Sequence, residues 1–224
     1  MKRSQYAVIG LGRFGSSLAQ ELINLGYEVL GIDKDEEAVE EMSNILTHVV
    51  VADSTDEEVL RALGIRNFDC AIVSIGDDIQ SSILTAILLK DIGVKMVVTK
   101  ALSELHGKVL NKIGVDRVIY PERDMGIRVA HQLVSPNLLD YIELSKDYTI
   151  AELVVPRRLA GRSLRELDPR AKYGCSVVAI NKQHGVIIAP TASDTLEEKD
   201  VMVIIGTNDQ IELFQNEVIG RVTA

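Results

Sequence analysis

Tyr6-Ala-Val-Ile-Gly10-Leu-Gly12-Arg-Phe-Gly15 is a short apolar run that ends in three glycines spaced G-x-G-x-x-G. Phe14, Leu18, Leu22 and Leu25 then recur at helical spacing, and Gly26 stops the pattern. The glycines therefore sit where a strand turns into a helix, the context in which this spacing has a physical meaning. Gly10 permits the tight turn, Gly12 lets backbone approach a diphosphate, and Gly15 allows the helix to pack closely on the strand. The helix start offers free N–H groups and a positive dipole to phosphates. The alternative is a glycine-rich turn that binds nothing.

Outward from this loop the same alternation continues. Glu28–Asp33, His48–Asp53, Cys70–Ile75, Lys95–Lys100 and Arg117–Tyr120 read as further short strands. Between them lie helical patterns, with acids at Asp35, Glu36 and Glu37 suiting a helix start and Gly64 and Gly93 closing helices. The strands are near-continuous apolar runs, which belong to a parallel sheet covered on both faces. Six strands alternating with helices make a Rossmann-like, doubly wound α/β domain over residues 1–123. Glu122 to Val134 reads as one more helix, broken by Ser135-Pro136, and Asn137 to Ile142 as a short amphipathic piece. Residues 124–143 are thus expected to be a helical linker. Residues 144–224 read as a small C-terminal α+β module: strand 149–155, short helix 163–167, strands 176–180, 185–189 and 201–205, and a final helix from Asp209 to about Val218.

The chain has 224 residues, 46% hydrophobic and 25% charged, a globular balance for one or two domains. Lys and Arg number 24 against 33 Asp and Glu, a net charge of −9. That argues against nucleic acid as a partner, because such affinity comes largely from neutralising phosphates. No uncharged stretch is long enough to span a bilayer, Met1-Lys2-Arg3 being only a faint n-region. Cys70 and Cys175 stand 105 positions apart in apolar surroundings and read as buried free thiols of a reducing compartment. His48, His106, His131 and His184 have no zinc-site spacing.

Asp33 ends the second strand 18 residues after Gly15, close to where the fingerprint places an acid for ribose hydroxyls. It disfavours a 2′-phosphate; the alternative is a solvated strand end. Asp53, Ser54 and Thr55 end the third strand, and Ser74, Ile75 and Gly76 the fourth, at the carboxyl edge where open α/β sheets bind ligands. Asp53 suits an adenine amino group. Ser54 or Thr55 serves either the ligand or the N-cap of the next helix. Arg13 suits a ligand that ends in a phosphate, because a guanidinium grips two phosphate oxygens.

Gly10-Leu-Gly-Arg-Phe-Gly15, Asp33, Val51-Ala-Asp-Ser-Thr55 and Tyr120-Pro-Glu-Arg-Asp-Met-Gly126 together resemble the regulatory RCK (KTN) subunits of Ktr/Trk potassium transporters, the KtrA/KtrC group above all. Arg170-Ala-Lys-Tyr-Gly174 resembles the opening of their C-terminal module. The resemblance implies a non-enzymatic, cytoplasmic regulator, peripheral to the membrane through a TrkH/KtrB-like potassium-transporting subunit. It implies dimers assembling into an octameric ring. It implies ATP or ADP at the first domain, with NAD(H) a further candidate, and cyclic di-AMP inhibition through the second. Arg13 would meet the terminal phosphates, and Glu122 would help to hold a divalent cation, Mg²⁺ or Ca²⁺, near them. Phe14, Lys34 and Lys100 complete the expected nucleotide set, while Arg170, Ser176, His184 and Pro190 are the cyclic di-AMP candidates. A small NAD-dependent oxidoreductase and the gating ring of a potassium channel are the rival readings.

Overall fold

The computed structural model describes residues 4–134 and 138–220. The opening Met1-Lys2-Arg3 and the expected Ser135-Pro136 break lie outside them. The chain divides into two compact units, Met1–Glu122 and Arg123–Ala224.

In the first unit, β1 (Gln5–Ile9), α1 (Arg13–Asn24), β2 (Glu28–Asp33), α2 (Glu36–Met42), β3 (His48–Val51) and α3 (Glu57–Ala62) make one half. The other half is β4 (Cys70–Val73), α4 (Ile79–Ile92), β5 (Val97–Lys100), α5 (Glu104–Ile113) and β6 (Arg117–Ile119). All six strands are parallel in the order β3-β2-β1-β4-β5-β6. Successive residues of a strand face opposite sides, so β1 feeds two cores. Ala7 and Ile9 pack with Ile32, Leu60, Leu89 and Leu110, while Val8 packs with Val29, Val39, Met42 and Ile72. Each fully buried aliphatic side chain contributes about 1.5–3 kcal/mol relative to exposure. Helix starts are set by side chains: Asp35 accepts from Glu37 N, Asp56 from Glu58 N, Asp78 from Ser81 N and Ser103 from His106 N. Gly93 and Gly114, both at positive φ, end α4 and α5.

α6 (Pro121–Val134) begins at the boundary. In the second unit, β7 (Leu138–Glu143), β8 (Tyr148–Val154), β9 (Ser176–Lys182), β10 (Gly185–Ile188) and β11 (Val201–Thr207) form an antiparallel sheet in the order β10-β9-β11-β8-β7. β8 and β11 alternate buried and half-buried residues, as a sheet with one covered face requires. Leu153, Ile180, Met202, Ile204 and Phe214 are fully buried in its core. α7 (Leu164–Leu167) carries a capping box from Ser163 and Glu166, and α8 (Pro169–Tyr173) follows at once. α9 (Asn208–Phe214) continues as a π-helical turn, Gln215–Ile219.

The expected helical linker over 124–143 is corrected in its second half, because residues 138–143 are the edge strand β7. The pairing with β8 shifts register between Leu138 and Asp140. That irregularity leaves Leu138 and Tyr141 on the core side, three residues apart, the spacing of a helix face. α6 is tied to this strand by Arg128 Nη2 on Asp140 Oδ2 at 2.6 Å and by Gln132 Nε2 on the Leu139 carbonyl at 2.5 Å.

Both cysteines are free and buried, and burial pushes each thiol up to about 11. At pH 8 neither thiol is ionised to a useful degree, so iodoacetamide should leave Cys70 and Cys175 unmodified in the folded chain and label both in denaturant. Mass spectrometry reads the difference; rapid labelling of either in the native chain would contradict its burial.

Candidate functional site

The strand order reverses between β1 and β4, and the carboxyl ends of these strands frame a crevice where open α/β sheets place their ligand. Three contacts build it. Gly10 takes φ +94°, and a Cβ there would lie 3.0 Å from the Ile75 amide nitrogen. Ser74 Oγ donates to the Gly10 carbonyl at 2.5 Å and lies 3.0 Å from that of Ile9, locking the end of β4 to the end of β1. A Cβ on Gly15 would run into the Gly10 carbonyl and lie 2.5 Å from Ser74 Oγ. Gly12 differs: a Cβ there would meet nothing within 4 Å. It is the loop's open face, and the first turn of α1 starts from it without a side-chain cap or an acidic residue. α2, α3, α4 and α5 all carry a side-chain cap.

Asp33 closes the loop from the next strand. Its Oδ2 accepts from Leu11 N at 2.6 Å and its Oδ1 from Asp35 N at 3.0 Å. The carboxylate thus positions the loop backbone and still has lone pairs for hydroxyl donors. Leu11, which the fingerprint leaves as a free position, is the backbone partner that sequence reasoning missed. Asp53 is exposed at the end of β3. Hydrogen bonds from the Thr55 hydroxyl at 2.7 Å and the Thr55 amide at 2.9 Å hold its carboxyl below the usual range, with Lys34 adding to the effect and Asp78 opposing it.

Ser54 turns inward: it is buried, and its Oγ lies 2.9 Å from Thr85 Oγ1. Neither Ser54 nor Thr55 caps α3; Asp56 does, at 2.8 Å from Glu58 N. Ser74 is likewise buried and Ile75 packs against the core, while a Cβ on Gly76 would touch the Lys100 ammonium.

Lys100, the last residue of β5, is buried in the same region. Its ammonium lies 5.8 Å from the Phe14 ring centre and 3.4 Å from where a Cβ on Gly76 would stand. Its hydrogen-bond partner is Glu122 Oε1 at 2.5 Å. That bond, and the charges of Lys100 and Arg13, hold the Glu122 carboxyl below the usual range. Arg13 itself is exposed. The donor set for a divalent cation is incomplete within one chain. Among the described residues no group of three His, Cys, Asp or Glu side chains is placed to hold a metal. A cation at Glu122 would have to displace an ammonium, so no step is assigned to one.

The candidates in the second unit fall into two places. Arg170 is exposed on α8, which leads through Gly174 and Cys175 into Ser176 at the start of β9. Pro190 follows Ala189, whose amide bonds to the Val178 carbonyl, so it lies at the same end of the β9–β10 hairpin. Ala189 takes φ +52°, a backbone state that a non-glycine residue adopts at a cost. His184 sits in the hairpin turn at the opposite end, roughly 20 Å away along the strand at about 3.3 Å per residue.

The sequence profile of the TrkA-N domain matches residues 6–121, and that of the TrkA-C domain matches residues 149–218. The chain is 48% identical over 217 residues to Ktr system potassium uptake protein C of Bacillus subtilis (strain 168), across 97% of this chain and 98% of that protein. It is 46% identical to Ktr system potassium uptake protein A of the same organism over the same coverage. Among solved structures it superposes on the GsuK channel with a TM-score of 0.72 at 18% identity, covering 99% of this chain and 40% of that one. At such identity the likeness is one of fold. The fold is that of a two-unit RCK protein with a Rossmann-like first unit. The chain belongs to the KtrA/KtrC family of potassium uptake proteins. Among the described residues, no helix is long and apolar enough to cross a membrane.

The two glycines make opposite predictions. Gly15→Ala should destabilise the first unit by about 1–3 kcal/mol, the usual cost of overpacking. Gly12→Ala should cost no more than about 1 kcal/mol, since its φ of −66° suits alanine. Gly12→Ala should nevertheless remove anionic ligands from the loop. Urea unfolding and ligand titration of both variants separate packing from binding.

Proposed function

We propose that this chain is the cytoplasmic regulatory subunit of a Ktr-type potassium uptake system and that the carboxyl edge of its first unit binds ATP or ADP. The observation that carries the reading is the uncapped start of α1 at Gly12, flanked by Arg13 and Lys100 and braced by Asp33. Backbone N–H groups, the helix dipole and two cations favour phosphates at one end. The Asp33 and Asp53 carboxylates suit ribose hydroxyls and an adenine amino group at the other. Asp33 argues against a 2′-phosphate. NAD(H) shares the adenosine half and is the competitor to test.

The membrane partner is a separate potassium-transporting subunit of TrkH/KtrB type, and the chain acts as dimers assembled into an octameric ring. Nucleotide acts through unequal affinity for two states of that assembly, which is what allosteric control requires. The oxidoreductase and channel-ring readings are set aside because the relatives with Ktr names match along the whole chain at nearly half identity. Cyclic di-AMP is proposed as a second ligand, at the end of the β9–β10 hairpin that holds Ser176 and Pro190, with Arg170 on the preceding helix α8. Support there is the exposed Arg170 and the strained Ala189-Pro190 corner.

Calorimetry on the full chain should find ATP and ADP binding more tightly than NADH. Asp33→Ala should weaken both by about 1.5–3 kcal/mol, the range for hydrogen bonds to a charged group. Unchanged affinity in Asp33→Ala would reduce that residue to a brace for the loop.

For the second ligand, Arg170→Ala should weaken cyclic di-AMP about tenfold or more, since an arginine fork contacts phosphate through charge-assisted bonds. His184→Ala should leave it unchanged. No binding by the wild-type chain would end that claim and leave the first site untouched.

A further inference from the structure

β3 is an edge of the first sheet: β2 pairs with it on one side, and among the described residues no strand pairs with it on the other. Ala52 N donates to the Asp33 carbonyl, so the even-numbered residues of this stretch turn their backbone groups to β2. Val49 and Val51 turn theirs outward. Val51 is 46% exposed, and among the described residues no hydrogen bond from another element meets either backbone. Such a row of unpaired N–H and C=O groups is a template for one more strand. At the amino end of β3 lies a cavity of about 420 Å³, lined by Thr47, His48, Val50, Leu63 and Phe68, with Glu28 on its wall. Its apolar lining suits an aliphatic or aromatic side chain.

The charge around this edge says what fits it. Residues 35–58 hold nine acids and no Lys or Arg: five from Asp35 to Glu41 on α2 and its cap, and four from Asp53 to Glu58 on the approach to α3 and its first turn. The other acids number 24, against 24 Lys and Arg, so the whole net charge of −9 sits here. All nine are exposed, and among the described residues Arg61 on Glu57 is the ion pair that any of them makes. α2 packs with Val49 on one face of the sheet, and α3 packs with Val50 on the other. A strand laid along β3 therefore has acids on both faces. Two copies placed edge to edge would set these acids against one another, which disfavours self-pairing.

We propose that the free edge of β3 docks an extended basic segment of another protein. Its backbone pairs with Val49 and Val51, its Lys and Arg side chains meet the α2 and α3 acids, and an apolar residue enters the cavity. This goes beyond the nucleotide reading and does not rest on it, because the glycine loop follows β1, two strands inward.

The probe is a short fluorescein-labelled peptide in which Lys and Val alternate and a Leu ends the run, read by fluorescence anisotropy on the full chain at low salt. It should bind, and hydrogen exchange should slow at the Val49 and Val51 amides. The same peptide N-methylated on alternate backbone nitrogens keeps its charges but cannot pair, and should bind about tenfold or more weakly. Val51→Pro deletes one outward N–H at an edge position, where proline is tolerated, and should weaken the peptide severalfold, with circular dichroism checking the fold. Glu40→Gln, Glu41→Gln and Glu58→Gln together should weaken it about tenfold and flatten its salt dependence. Equal binding by the N-methylated peptide, or unchanged exchange at Val49 and Val51, means that cations merely adhere to the acidic helices and overturns strand addition. Full displacement by spermine at equal charge does the same. No binding by the wild-type chain overturns the proposal outright, and the acids then serve to keep bare edges apart. ATP titration of the same samples bears on the first site alone.

Discussion

The Ser74 hydroxyl on the Gly10 carbonyl holds together the two halves of the first sheet at the place where they diverge. β1 and β4 are neighbours in space but stand sixty-odd positions apart in sequence, and α1 has to start in the narrow gap above them. That gap has no room for a Cβ at Gly15 and admits Gly10 only at positive φ. Close packing here aims the first turn of α1 along the crevice. The positions of Arg13, Phe14 and Gly12 all follow from it, and so does the distance from the loop to Lys100.

Electrostatics then divides the crevice. At one end a helix start without an acidic cap, an exposed arginine and a buried lysine concentrate positive charge. At the other, the Asp33 and Asp53 side chains are committed to backbone or hydroxyl donors. An uncapped helix start and a buried ammonium both cost stability, and functional sites are where such costs are retained. Asp33 shows how closely the proposed binding and folding overlap: the carboxylate suited to a ribose also fixes the glycine loop through Leu11 N.

Much of this was legible in the residues because the signals were local. Apolar runs without alternation marked the buried parallel strands, and the glycine spacing marked the turn from β1 into α1. Asp33 was legible by counting. What was not legible depends on side-chain direction or on partners distant in sequence. Ser54 and Thr55 were open to a capping role, yet Asp56 takes it and Ser54 turns inward to Thr85. The pairing of Lys100 with Glu122 joins the end of β5 to the start of α6, and no sequence pattern announces it. β7 falls in the stretch expected to be helical, and its irregular pairing puts Leu138 and Tyr141 on one side three positions apart, a spacing that sequence alone does not tell from a helix face. α8 escaped notice because five residues are too few for periodicity. The family resemblance supplied the potassium-uptake context, which no geometry in the chain contains.

The order of strands along the chain has a consequence for synthesis. Every strand of the first sheet precedes residue 120, and its central pair, β1 and β4, is complete by residue 73. That unit can close while the ribosome is still making the second, as domains generally do. The antiparallel sheet cannot follow the same course. β11, which ends at Thr207, lies between β8 and β9 and is what joins them. Until it emerges, β7–β8 and β9–β10 are two hairpins with nothing to hold them side by side. The second sheet thus cannot close until β11 has been made. Premature stops upstream of Val201 leave a folded first unit carrying unsealed strand edges, the form most exposed to aggregation and to quality-control proteolysis.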